Sequence, residues 1–173
     1  MSCVGDSILQ EYDETNANDY ENWGTSGHAG QSFQIQADAT ICGASWYGGK
    51  GVASGSYKFE LLSDSYASGT VIAATGTVLT DSLSVYTSPD WVKLEFTATV
   101  DLLADTTYFM KLTPLSGSSN DVLRWARDTS PTYPLGILYA SYGAGSGRDR
   151  IFRIHGVAGG GGGGQNSSFL KFM

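Results

Sequence analysis

From Gln31 to Gly156 apolar and polar residues alternate in short runs, and no stretch keeps the spacing of an amphipathic helix. Tyr57, Phe59 and Leu61 share one side of SYKFELL; Val92, Leu94 and Phe96 share one side of WVKLEF; Tyr108, Met110 and Leu112 share one side of TYFMKL. Successive side chains of a strand point to opposite faces, so each run predicts an inward face. Lys58, Glu60, Lys93, Glu95 and Lys111 then fall on the other. SFQI, ICGASWY, TGTVL, VLRWA, GILYA and RIFRI read as further strands. In the last, Phe152 and Ile154 point one way, and Arg150, Arg153 and His155 are expected to solvate the edge or outer face.

Turn-forming stretches such as YGGKGVASGS, SDSYASG, TSPD and LSGSSND separate these runs at the spacing of antiparallel sheets. A parallel fold would need crossover helices that the pattern lacks. The expected fold is all-β: an antiparallel two-sheet sandwich of about eight or nine strands, with a jelly roll as the preferred topology. It carries an extended N-terminal arm and a glycine-rich C-terminal tail. Residues 1–28 read as a polar, acidic arm that wraps the domain or a neighbour, 29–158 as the jelly-roll sandwich, and 159–173 as a polyglycine tether with an apolar docking end.

Length permits one domain with a substantial core. Charged residues make up only 16% of the chain, against about a quarter in an average protein, so Ser, Thr, Asn, Gly and Tyr must supply most of the polar surface. Such surfaces suit extracellular and virus-exposed β-proteins. A net charge of -7 disfavours a nucleic-acid partner, since the one basic cluster, Arg148, Arg150 and Arg153, encloses Asp149. No run is apolar enough for membrane insertion, and the first residues lack the pattern that directs classical secretion. Cys3 and Cys42 can form one disulfide, but two free thiols are the expectation, because two cysteines argue weakly for oxidising conditions.

Three segments together carry a resemblance: GQSFQI, WVKLEFTATVDLLADTTYFMKL and RDRIFRIHG. They resemble a jelly-roll, carbohydrate-binding-module-like repeat domain found in phage structural proteins and bacterial surface proteins. The matching positions are Gly30 to Phe33, Trp91 and Val92, Thr107 to Phe109, and Phe152 to Ile154, across residues 29 to 156. These are strand and core positions, so the resemblance implies a fold and display outside a cell or on a virus particle, without a transferable catalytic residue.

Enzymatic chemistry finds little support. His28 and His155 are the only histidines, and GTSGH and GASWYG miss the nucleophile-elbow spacing. No zinc spacing or phosphate loop is present, so no cofactor is implied. Calcium alone has an oxygen-rich candidate, Asp13, Asn16, Asn18 and Asp19 in DETNAND, which lacks the EF-hand glycine and terminal glutamate. Among the aromatics, Trp46 and Trp91 read as core or sheet-edge residues. Trp125, with Tyr133, Tyr139 and Tyr142 nearby in sequence, reads as the glycan or partner contact.

The tail poses its own problem. Gly159 to Gly164 form a tether on the order of 13 Å long as a free coil. Phe169, Leu170, Phe172 and Met173 follow it, and exposed they would invite aggregation. Docking in a groove or on a sheet of a neighbouring subunit resolves the conflict. The expectation is therefore a non-enzymatic virion structural protein, such as a capsid decoration, head-fibre or tail-fibre subunit, located on a virion or extracellular particle surface. It would assemble through its termini as a symmetric homo-oligomer, with a trimer suiting a fibre, or onto other virion proteins. The alternative is a carbohydrate-binding module or adhesin for cell-surface polysaccharide.

Overall fold

The computed structural model describes residues 7–23, 27–52, 54–117, 122–130, 133–140, 143–145 and 148–159. Tyr142 and the tail residues Phe169, Leu170, Phe172 and Met173 lie outside them. In chain order the strands are β1 (Ser7–Tyr12), β2 (Asp19–Trp23), β3 (Ala29–Phe33), β4 (Ala39–Lys50), β5 (Gly55–Leu62), β6 (Val71–Ala74) and β7 (Val78–Leu79). They continue with β8 (Asp90–Leu102), β9 (Tyr108–Gly117), β10 (Leu123–Asp128), β11 (Leu138–Ala140), β12 (Gly143–Gly145), β13 (Asp149–Arg150) and β14 (Phe152–Ala158). Two short 3-10 turns, Glu14–Asn16 and Thr80–Ser82, are the helical segments among the described residues.

The strands form two seven-stranded antiparallel sheets. In the first, β4 is the trunk: β8 runs along one side, while β14 and then β10 occupy the other, with Phe152 opposite Trp46 and Trp125 opposite Gly48. The second sheet runs β12, β11, β3, β9, β5, β6, with β7 also paired to β5. The β8 register is interrupted where Val100 and Glu95 face Ile41 and Gly43. Among the described residues β8 pairs with β4 alone and forms an edge of its sheet.

The alternating residues of the sequence close the space between the sheets. Tyr57, Phe59, Leu61, Met110 and Leu112 from the second sheet have no exposed surface, and Trp46, Phe152 and Ile154 from the first match them. Rings meet across the gap: Trp46 meets Tyr57 at 6.1 Å, Phe33 meets Phe152 at 6.0 Å, and Phe59 meets Phe96 at 6.3 Å. Full burial of such a side chain is worth about 1.5–3 kcal/mol relative to exposure. Outside the second sheet a smaller cluster of Leu62, Tyr66 and Phe109 packs with Tyr139. Gly30 makes room for it, since a Cβ there would lie 2.2 Å from the Tyr66 ring.

Four expectations need correction. Residues read as a polar arm form β1 and β2, edge strands of the first sheet: Tyr12 pairs with Phe152 and Trp23 with Leu123. Both aromatic rings turn into the core, at 7% and 5% exposure, while the polar residues between them stay outside or pair with charges. TGTVL contributes only Val78–Leu79, and VIAA supplies the strand β6 that its weak alternation concealed. Arg150 and His155 do not solvate the surface: Arg150 has no exposed area and His155 only 8%. Cys42 is disulfide-bonded rather than a free thiol.

Candidate functional site

Trp125 was the leading candidate for a ligand contact, and the structure places it in the core with no exposed surface. It shares an inward face with Leu123, its indole N–H donates to the Ile151 carbonyl at 2.7 Å, and its ring meets Trp46 and Phe59 at 6.3 and 6.2 Å. A ring enclosed on all sides offers no face to a sugar. Tyr133 is also buried, edge-on to Phe152 at 5.3 Å. Tyr139 is half-buried elsewhere, stacked on Tyr66 at 4.8 Å. The predicted residues therefore do not gather into one surface.

The basic cluster is likewise built into the fold. The Arg150 guanidinium lies 2.6 Å from Glu21 and 5.1 and 5.5 Å from the Trp23 and Trp125 ring centres. Its backbone N–H donates to Gln31 Oε1, while the Gln31 amide donates to Asp149 at 2.9 Å. Arg127 joins the group through Asp19 at 2.6 Å and Glu21 at 2.8 Å. Burial pushes the Asp149 carboxyl upward, with the Gln31 amide offsetting part of the rise. Burial also opposes ionisation of Asp128, but the Tyr12 hydroxyl, the Ser130 N–H and the Asn18 amide outweigh it and hold that carboxyl below its ordinary value. The cluster pins β2 and the end of β1 to β10 and β13.

Oxygens proposed for calcium already serve the fold. Asp13 caps the first 3-10 turn by accepting from the Thr15 N–H at 2.9 Å, Asn18 bridges Asp128 and Thr129, and Asp19 holds Arg127. Among the described residues no group of three or more His, Cys, Asp or Glu side chains is arranged to hold a metal ion. Ser45 and His155 come together at 2.6 Å, a pairing invisible in the sequence. Ser45 sits mid-strand at 2% exposure, so a substrate carbonyl has no approach to its hydroxyl.

On the outer face of the first sheet Arg153 lies 3.8 Å over the Trp91 ring and pairs with Glu11 and Glu14 at 3.0 and 3.2 Å. The Trp91 indole donates to Glu14 at 3.0 Å. This half-exposed mosaic ties β1 to β8 across the sheet.

Beside Trp91 lies a cleft of about 350 Å³. It is lined by Asp90, Trp91, Val92, Lys93 and Leu94 at the start of β8, by Val78, Ser82, Leu83 and Ser84, and by Tyr57. The 78–84 stretch is anchored. Thr80, fully buried, accepts from the Gly55 N–H at 2.8 Å, and the Lys50 N–H donates to the Ser84 carbonyl at 2.9 Å. Gly49 permits that approach, since a Cβ there would lie 2.4 Å from the Ser84 oxygen. The cleft draws on Tyr57, the 78–84 stretch and the start of β8, and strand pairing brings Tyr57 to the 78–84 stretch.

The fold thus defines an all-β protein of two packed antiparallel sheets with a shallow cleft at one edge. No model of a known protein family matches the chain, and no curated protein matches it significantly.

Proposed function

We propose that this chain is a non-enzymatic structural subunit of a virus particle, displaying a jelly-roll-like sandwich and assembling through its C-terminal segment as a homo-oligomer or onto another particle protein. The observation that carries the reading is that the last strand of the sandwich delivers the chain directly to a glycine run followed by apolar residues. The core cluster is built from residues between Tyr12 and Ile154, β14 finishes at Ala158, and the Gly159 N–H is tied to the Asp38 carbonyl at 2.8 Å. Phe169, Leu170, Phe172 and Met173 follow a glycine run in the sequence, and such a tether gives them reach toward a partner. A disulfide at Cys42 and a charge-poor surface fit an extracellular particle better than a reducing cytosol.

The test compares the solution mass of the full chain with that of a version stopped after Ala158, by sedimentation or light scattering. A defined oligomer lost on truncation is the expected result. Equal monomeric masses would remove self-assembly through the tail.

A further inference from the structure

We infer that Cys42 is joined to Cys3, and that this bond straps residues 1–6 across the outer face of the first sheet as a reduction-sensitive cover over Ser45 and His155. The inference goes beyond the assembly role and does not rest on it. Cys42 is disulfide-bonded, and the sequence holds one other cysteine, Cys3, which lies outside the described residues. Cys42 is only 3% exposed, and its sulfur sits 3.6 Å from the His155 carbonyl oxygen, at the junction of β4 and β14. A sulfur bonded to a second copy would be held at the surface, so this burial favours a partner from the same chain. The chain is long enough to supply it. Ser7 faces Gly156 and Gly156 faces Ile41, so β1 and the neighbour of Cys42 stand two strand spacings apart, about 10 Å. Cys3 precedes Ser7 by four residues, a span of up to about 14 Å, and the disulfide itself bridges about 5–6 Å between α-carbons.

A second observation is independent of this reach. Ser45 and His155 stand on the outer side of the sheet: Ser45 alternates with the inward Ala44 and Trp46, and His155 follows the inward Ile154. They are nevertheless only 2% and 8% exposed, whereas Ile8, opposite His155, is 46% exposed and Glu95, opposite Gly43, is exposed as well. Arg153, opposite Ser45, turns to Trp91, Glu11 and Glu14 and does not roof the pair. An outward pair buried between exposed flanks has a cover, and the path from Ser7 to Cys42 crosses β14 at His155 and Gly156. Opening it breaks the Cys3–Cys42 bond: a dithiol reductant supplies two electrons, each sulfur takes up a proton, and the reductant closes to its own disulfide.

The experiment uses the full chain. Cleavage after glutamate of the unfolded, unreduced protein should release the segment ending at Glu11 bonded to the segment that carries Cys42. Reduction of the folded protein with dithiothreitol, followed by removal of the reagent, should lower the melting temperature by about 10 °C, the loss expected for opening a loop of this length. It should also speed acylation of His155 by diethyl pyrocarbonate about tenfold, as for a side chain freed by local opening, while His28 keeps its rate. Cys3→Ser should reproduce both effects without reductant, and reductant should then add nothing. A Cys42 bonded to a second copy, two free thiols, or a His155 rate indifferent to reduction would overturn the proposal.

Discussion

Glu21 and Arg150, 129 positions apart in the chain, meet at 2.6 Å beneath the edge of the first sheet. Arg150 has no exposed side-chain surface and Glu21 only 16%, and Arg127 shares the same carboxylate. The contact is what makes an acidic N-terminal segment part of the sandwich.

Removing Glu21 leaves two guanidinium groups buried against a missing charge. Glu21→Ala should cost about 3–5 kcal/mol in urea unfolding, the penalty for stranding a buried ion. Asp19→Ala, whose carboxylate is 42% exposed, should cost about 1 kcal/mol or less. Equal losses at the two positions would contradict the burial argument.

Asp149 and Asp128 respond to pH with opposite sign. The Asp149 carboxyl is raised by burial, so its ionisation opposes folding above that raised value, and the penalty is relieved as pH falls through it. Asp149→Asn keeps the acceptor for the Gln31 amide and removes the charge, so it should leave stability at pH 7 unchanged or higher. Asp128, whose carboxyl is lowered, stabilises the fold above the ordinary value of 3.8 and loses that contribution as pH falls through its own depressed value. Asp128→Asn should therefore destabilise at pH 7 and approach wild type in strong acid. Thermal melts of both variants between pH 2 and 8 check the two signs.

Trp125 distinguishes packing from recognition. Trp125→Ala should destabilise by about 3–5 kcal/mol, as expected for a large ring removed from a filled core. Trp91→Ala removes a half-buried ring and should cost less. A melting temperature near wild type for Trp125→Ala would show that the ring is not enclosed.

Tyr57→Phe should behave unlike the other core changes. Because its hydroxyl lacks a partner, deleting it should leave stability unchanged or raise it by up to about 1 kcal/mol. A loss of stability measured by denaturant unfolding would mean that the hydroxyl is satisfied after all.

Much of the sandwich was legible because strand alternation is a local signal. Tyr57, Phe59 and Leu61 all reach zero exposure, as their spacing predicts. The same logic places Trp125 inside, since it shares its side with Leu123; treating it as exposed set the chemistry of the ring above its parity. β1 and β2 escaped notice because an edge strand shows mainly polar residues, and among their described side chains only Tyr12 and Trp23 are buried, with Leu9 and Tyr20 packed partly against the core. Arg150 reads as surface in isolation, for its counter-charge comes from the opposite end of the chain. The cleft had no sequence signature, because Tyr57, Leu83 and Val92 become neighbours only when β5, β7 and β8 take their places.

The interrupted edge of β8 has a bearing on life in a crowd. A flat thirteen-residue edge would invite every neighbouring copy to add its own strand. Here the register breaks between Glu95 and Val100, and Asp90, Lys93, Glu95 and Asp101 punctuate the strand with charge. Copies that meet side by side are thereby discouraged from zipping together along their sheets.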